Sequence, residues 1–347
     1  MVSKLNIEEF LTRSQNHPVL DVRSPGEFDH AHIPGAISLP LFSNEERAII
    51  GTIYKQKGRE PAMMKGLEFY SASMQRIIDD LKNRTDDKQL FVHCWRGGMR
   101  SGVVAWMLDL FGYKVSTLNK GYKSFRSWVL TSFSQPRNIV ILGGKTGSGK
   151  TEVLQELKKS GEQIIDLEKF AHHKGSAFGD LGEAPPPTQE QFENDLAMEF
   201  FRLDLSKNIW LEDESQRIGW INVPNSLWNQ MREAKVFYLD VPFEERLKNI
   251  ISLYGKFNPE NLKAATLRIS KRLGGLDTKN VLQFLEEGKI KEAFSILLAY
   301  YDKAYLKATE QRSAEQIVTI PISKVYSIEA ASIVSKISAA ASSPMGV

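Results

Sequence analysis

The eight residues Gly144-Lys145-Thr146-Gly147-Ser148-Gly149-Lys150-Thr151 constrain the fold of this chain more than any other stretch. The pattern G-x-x-x-x-G-K-[ST] works only where a strand delivers the chain to a tight loop and a helix carries it away, because backbone N–H groups and a helix N-terminus must converge on one phosphate chain. The flanks supply that context. Asn138-Ile139-Val140-Ile141-Leu142 is a buried-strand run, and a helical pattern follows from Glu152. An α/β domain is therefore expected from residue 134 onward, with Lys150 as a point charge on the phosphates and Thr151 within reach of a magnesium ion. Later strands are expected at Gln163 to Leu167, Asn208 to Leu211 and Lys235 to Leu239, and a helical region from about residue 243 to Thr309.

A phosphate site of this kind uses carboxylates at a second strand end to hold magnesium, and Ile209-Trp210-Leu211 runs into Glu212-Asp213-Glu214-Ser215. Asp166 and Glu168 end another strand, and His172, His173, Lys174 and Ser176 follow among small residues, a composition suited to an anion or substrate pocket. Asp166, Glu168, His173, Ser176, Glu212 and Asp213 thus join the loop as candidate binding residues. No dedicated metal site and no tightly bound cofactor are expected.

The first 133 residues carry a second strand-loop-helix element. Leu90-Phe91-Val92-His93 leads into Cys94-Trp95-Arg96-Gly97-Gly98-Met99-Arg100-Ser101, and apolar residues recur at helical spacing through Phe111. Two glycines let backbone N–H groups face the sulfur, and the helix N-terminus and two arginines add positive potential, so Cys94 is expected to be a thiolate. Cys94, Arg96 and Arg100 are the candidate catalytic residues. His-Cys-x5-Arg suits a cysteine phosphatase as well as a sulfur carrier, and the motif alone leaves both open. Cys94 is the only cysteine, which excludes an internal disulfide and leaves no second thiol to resolve an adduct.

With 347 residues, 42% of them apolar, the chain has material for two cores. The polar, proline-bearing stretch Ser132 to Asn138 marks the boundary. The expected division is 1–133, 134–325 and an Ala/Ser-rich tail, 326–347. No apolar run approaches the about 20 residues that span a bilayer, and the N-terminus lacks a secretory pattern, so a cytoplasmic protein with no membrane partner is expected. The net charge of +3 is small, but Arg246 to Lys307 holds 12 Lys/Arg against 6 Asp/Glu. Either a solvated helical face or an RNA-backbone surface accounts for that excess.

Asp21-Val22-Arg23 followed by Glu27 and His32-Ile33-Pro34-Gly35-Ala36 resembles the entry segment of rhodanese domains over Ile7 to Trp128, although the cysteine loop has the longer length of the rhodanese-fold phosphatases. The fold class implied is α/β: an N-terminal rhodanese-like domain, carrying a basic insertion at 43–69 with Arg47, Lys55, Lys57, Arg59 and Lys65, plus a C-terminal P-loop NTPase-like α/β domain. Joined in this order, with Gly121-Tyr122-Lys123, Phe125-Arg126 and Ile218-Gly219 as further words, the chain resembles the tRNA 2-selenouridine synthase family over about residues 7 to 310. The resemblance implies conversion of wobble 2-thiouridine in tRNA to 2-selenouridine through an S-geranyl intermediate. Geranyl diphosphate and selenophosphate are the co-substrates, tRNA is the partner, and an enzyme supplying selenophosphate is a further one. It implies that the P-loop holds the diphosphate, that Cys94 and Arg100 handle selenium, and that Phe178, Trp210 and Trp220 are candidates for the prenyl groove. A P-loop kinase or NTPase with a regulatory rhodanese or cysteine-phosphatase-like module is the alternative.

Overall fold

The computed structural model describes residues 2–309, 312–325 and 332. It forms two compact units, residues 1–133 with 188–198, and residues 134–187 with 199–347. The linear division after residue 133 therefore needs one correction, because 188–198 packs with the first unit. The tail at 326–347 lies outside the described residues apart from residue 332.

The first unit runs β1 (Ser3–Leu5), α1 (Ile7–Arg13), β2 (Val19–Asp21), α2 (Pro25–His30), β3 (Ile37–Ser38), α3 (Asn44–Lys57), α4 (Arg59–Lys82), β4 (Gln89–His93), α5 (Met99–Leu110), β5 (Lys114–Leu118) and α6 (Gly121–Ser132). Its five strands pair in parallel in the order β1-β5-β4-β2-β3. β4 is central and reads Leu90, Phe91, Val92, all fully buried, as a strand covered on both faces should. The core joins Leu20, Val92, Val104, Leu108 and Ile77. The basic insertion folds as the helical hairpin α3–α4, and α4 continues past residue 69 to Lys82. Three helix starts in this unit are fixed by capping boxes, Asn6 with Glu9, Ser24 with Glu27 and Ser43 with Glu46, each satisfying backbone donors that would otherwise lack partners.

The second unit runs β6 (Ile139–Gly144), α7 (Lys150–Lys159), β7 (Gln163–Ile165), α8 (Leu167–Ala171), α9 (Gln189–Arg202), β8 (Ile209–Glu212), β9 (Arg217–Ile218), β10 (Ile221–Asn222), α10 (Asn225–Glu233), β11 (Lys235–Asp240), α11 (Phe243–Tyr254), α12 (Pro259–Arg268), α13 (Ser270–Leu273), α14 (Gly275–Glu286), α15 (Ile290–Thr309) and β12 (Ile317–Pro321). The sheet order is β12-β11-β6-β8-β7, all parallel. Leu142 pairs with Glu212, which sets that carboxylate beside the exit of β6. Five of the described strands escaped the sequence reading: β1, the two-residue β3, β9 and β10, and β12 beyond the helices. α11–α15 form a separate helical core around Leu247, Leu262, Val281, Phe294 and Leu298. The first residues of α9 belong to the first unit. No described helix is long and apolar enough to cross a membrane.

Candidate active sites

Cys94 follows the last residue of β4, and α5 starts five residues later. Its side chain is buried, with Sγ 3.2 Å from the Ser101 hydroxyl. Burial pushes the thiol up, but the Ser101 hydrogen bond, the Arg100 charge and the N–H groups of Ser101 and Gly98 outweigh it and hold Cys94 below its ordinary pKa. The Ser101 hydroxyl also lies 3.2 Å from the Gly98 carbonyl. It has one proton, so it donates to the sulfur in the thiolate and to Gly98 when the thiol carries its own proton.

The loop is braced by the start of α6. Tyr122 N–H donates to the Cys94 carbonyl (2.8 Å) and Lys123 N–H to that of Trp95 (3.0 Å). Gly97 and Gly121 meet there with φ of 59° and 58°, and a Cβ on Gly121 would lie 2.2 Å from the Cys94 oxygen. Only glycine accommodates both the left-handed conformation and that approach. This accounts for Gly121-Tyr122-Lys123 as part of the site.

The two arginines diverge. Arg100 donates to Glu27 Oε2 at 2.8 Å, and the capping box with Ser24 fixes Glu27 in place. Arg96 is exposed on the loop. Beneath Trp95, the buried Arg23 donates to both Asp21 oxygens and to the Ala31 carbonyl, and its guanidinium lies 3.9 Å from the Tyr122 ring centroid. A cleft of about 470 Å³ opens beside the loop, lined by Arg23, Glu27, His30, Arg47, Trp95 and Glu190. Glu190 arrives on residues 188–198, where it accepts from Tyr122 Oη at 2.7 Å. The buried Asn194 donates to the same hydroxyl at 2.8 Å. Neither residue carries a local sequence signal, since their partners lie about 70 residues away.

In the second unit the Gly144–Thr151 loop is tied back by α11. Arg246 donates to the Thr146 carbonyl (3.1 Å) and Asn249 to that of Gly147 (3.0 Å). Lys145 O accepts from Ser148 N–H at 3.1 Å, and the Ser148 hydroxyl is buried without a hydrogen-bond partner among the described residues. Gly149 caps α7, which begins at Lys150. Lys150 Nζ donates to the Gly144 carbonyl at 3.1 Å. Burial would push this ammonium down, yet the charges of Glu212, Glu214, Glu168 and Asp213 hold its pKa above the ordinary lysine value.

Glu168, Glu212 and Glu214 bring ligand oxygens within 4.8 Å of one another. Burial first, then mutual repulsion, raises the pKa of Glu168; burial raises that of Glu212 and Glu214 despite Lys150. Thr151 hydrogen-bonds Glu212, whose Oε1 is buried with no hydrogen-bond partner among the described residues. An all-oxygen set with one orphaned lone-pair atom fits a hard divalent cation such as magnesium. Glu214, and not Asp213, joins Glu168 and Glu212 in this candidate set, which the expectation of no dedicated metal site did not include. Asp213 accepts from Tyr305 Oη (2.8 Å) and Arg312 (2.7 Å), and Tyr305 Oη accepts from Gly144 N–H (3.2 Å), so Asp213 anchors the loop instead of facing a cation. β8 ends at Glu212 and the Glu214 N–H donates to the Glu212 carbonyl at 2.9 Å, so a tight turn beyond the strand sets Glu214 with Glu212 and Asp213 apart from them.

Other expected residues are placed as follows. Asp166 caps α8 by accepting from Lys169 N–H at 2.8 Å. The His173 ring packs against Gly219, where a Cβ would come within 2.6 Å, and its Nδ1 is buried without a hydrogen-bond partner among the described residues. Ser176 Oγ accepts from Phe178 N–H at 3.2 Å and bonds Tyr254 and Tyr301. Between them Gly175 lies against Glu168 and Glu214. Of the prenyl-groove candidates, Trp210 is fully buried against Phe237 and Phe178 is buried in the helical core, which removes both from an open groove; Trp220 is 75% exposed. Arg246 is 2% exposed and paired with Asp302, so it leaves the basic surface it was counted in. Lys248, Lys263, Arg268, Lys289 and Lys291 make ion pairs, while Lys271, Arg272 and Lys279 on α13–α14, and Lys55, Lys57 and Arg59 on α3–α4, are exposed.

Comparison with known proteins matches residues 6–127 to the rhodanese-like domain and residues 137–332 to the tRNA 2-selenouridine synthase AAA domain. Among curated relatives, the tRNA 2-selenouridine synthase of Nitrosomonas eutropha is 32% identical over 85% of this chain and 89% of its own. That of Bdellovibrio bacteriovorus is 33% identical over 86% and 90%, and that of Proteus mirabilis 32% identical over 92% and 95%.

Proposed function

The chain belongs to the tRNA 2-selenouridine synthase family, and we propose that it exchanges the sulfur of wobble 2-thiouridine in tRNA for selenium in two steps, each served by one phosphate-binding loop. The observation that carries this reading is the pairing itself: a buried thiol held below its ordinary pKa in one anion loop, and a P-loop faced by three carboxylates in the other.

In the first step geranyl diphosphate lies with its diphosphate on the Gly144–Thr151 loop. The thiocarbonyl sulfur attacks the prenyl C1, the C–O bond breaks and pyrophosphate leaves, and the N3 proton of the base passes to solvent. Lys150, the loop N–H groups and a magnesium ion held by Thr151, Glu168, Glu212 and Glu214 would stabilise the departing charge. Alkylation turns the sulfur into a leaving group. In the second step the Cys94 loop receives selenophosphate, with Arg100 and the N–H groups of Gly98 and Ser101 on the anion. The selenium of selenophosphate bonds to C2 of the base as the C2–S bond breaks and geranylthiolate leaves; water then cleaves the Se–P bond, phosphate departs, and N3 regains a proton.

Cys94→Ser should abolish selenation and leave geranylation of thiolated tRNA intact. Lys150→Ala should lose geranylation. Nucleoside mass spectrometry of the tRNA reads both. Loss of both activities in Cys94→Ser, or ATP hydrolysis at ordinary enzymatic rates by the purified protein, contradicts the division of labour.

A further inference from the structure

The cleft beside the cysteine loop has a lining of mixed sign that selects among ligands. Glu27 and Glu190 disfavour a ligand that is only anionic, and Arg47, His30 and Arg23 disfavour one that is only cationic. An isoprenoid chain has nothing to match this polarity. At about 470 Å³ the cleft falls in the size range of small-ligand sites. Trp95, 37% exposed, presents an indole backed by Tyr122 with ring centroids 5.6 Å apart and by the Arg23 guanidinium at 6.0 Å. Glu190 is held by the Tyr122 hydroxyl on Oε1, and its Oε2 lies 3.8 Å from Arg126 Nε, an ion pair too long to be a hydrogen bond, so the carboxylate retains acceptor capacity. Arg47 stands at the rim with its side chain 53% exposed, and His30 is exposed beside it.

A planar ring with an N–H edge, joined to phosphates, satisfies all of these groups together. We propose that this cleft is a nucleobase subsite, taking the extruded wobble base with the ring on Trp95, the flanking phosphates on Arg47 and His30, and the N3–H, which the thiolated substrate and the selenated product carry, donated to Glu190. The inference rests on the reading that thiolated tRNA is the substrate. Extrusion is required because a ring carbon inside the anticodon stack cannot be reached by a loop-borne atom, and base–aromatic stacking repays part of the unstacking. It gives the segment 188–198 a role at the thiol site through Glu190.

The test measures binding of an anticodon stem-loop with 2-thiouridine at the wobble position to the full chain, beside the same stem-loop with N3-methyl-2-thiouridine. Stacking on an aromatic is worth about 1–3 kcal/mol per base, so Trp95→Ala should weaken binding by about tenfold or more, and Trp95→Phe should restore most of it. Methylation of N3 should cost the wild type about tenfold, the scale of one good base-edge contact. In Glu190→Gln, which keeps an acceptor for Tyr122, that cost should shrink to about twofold or less on the same scale. Wild-type binding with Trp95→Ala unaffected, or a methyl cost of equal size in Glu190→Gln, overturns the subsite and leaves the tRNA reading standing. A wild-type chain that does not bind the stem-loop overturns both.

Discussion

Replacing Arg246 by methionine separates a structural brace from an RNA contact. The guanidinium donates to the Val241 and Thr146 carbonyls, each at 3.1 Å, and to both oxygens of Asp302 at 2.8 and 2.7 Å. Its removal leaves Asp302, whose side chain is 17% exposed, without its cation. Breaking a buried pair from one side costs about 3–5 kcal/mol. For a unit of this size, at about 2–4 °C per kcal/mol, the melting transition should fall by about 6–20 °C. Calorimetry of the full chain measures it. Replacing Asp302 by leucine in the same chain removes the orphaned charge and should recover most of the loss. Pyrophosphate affinity should stay depressed even then, by about tenfold, because the Thr146 carbonyl is no longer tied back and the loop loses its preset shape. An RNA-contact role makes the opposite forecast: an unchanged transition and a salt slope of RNA binding smaller by about 0.7–0.9. A transition within about 2 °C of wild type would refute the brace.

Alkylation of Cys94 by iodoacetamide should follow a thiolate titration with its midpoint below the about 8.5 of a free thiol, and Ser101→Ala should move the midpoint upward by removing the leading stabiliser of the anion. Magnesium should raise the melting temperature of the protein by relieving repulsion among Glu168, Glu212 and Glu214, and Glu212→Gln should remove most of that increment in a thermal-shift titration. Asp213→Asn should lower stability by about 2–4 kcal/mol through Arg312 and Tyr305 while keeping the magnesium response, the reverse of the Glu212→Gln pattern. Gly121→Ala, with its Cβ 2.2 Å from the Cys94 carbonyl, should fail to accumulate as folded protein or lose the depressed thiol titration.

Both anion loops are legible in the chain because each is a continuous run whose glycines, charge and flanking strand lie within about ten residues. Arg246 was misplaced for the converse reason. Its helix reads as charged and solvated, and only the fold reveals Asp302 and the Thr146 carbonyl around it, 56 and 100 residues away. Asp213 and Glu214 exchange roles because adjacent acidic letters look alike in composition, while the tight turn just past β8 sends their side chains to different partners. β12 went unread because Ile317–Pro321 is short and follows a long helical stretch; the space beside β11 makes it a strand. Glu190 and Asn194 are ordinary polar residues of a helix until Tyr122 is set beside them.

The return of residues 188–198 to the first unit bears on how the protein is made. As the chain leaves the ribosome, residues 1–133 contain every strand of their sheet but not Asn194 and Glu190, which hold the Tyr122 hydroxyl. At translation rates of about 5–20 residues per second, the thiol pocket waits several seconds for its last wall. During that interval the phosphate loop has already been synthesised, so the cysteine site is completed after the P-loop sequence that accompanies it. A gene fragment ending at the apparent boundary would encode a sheet with an unfinished pocket.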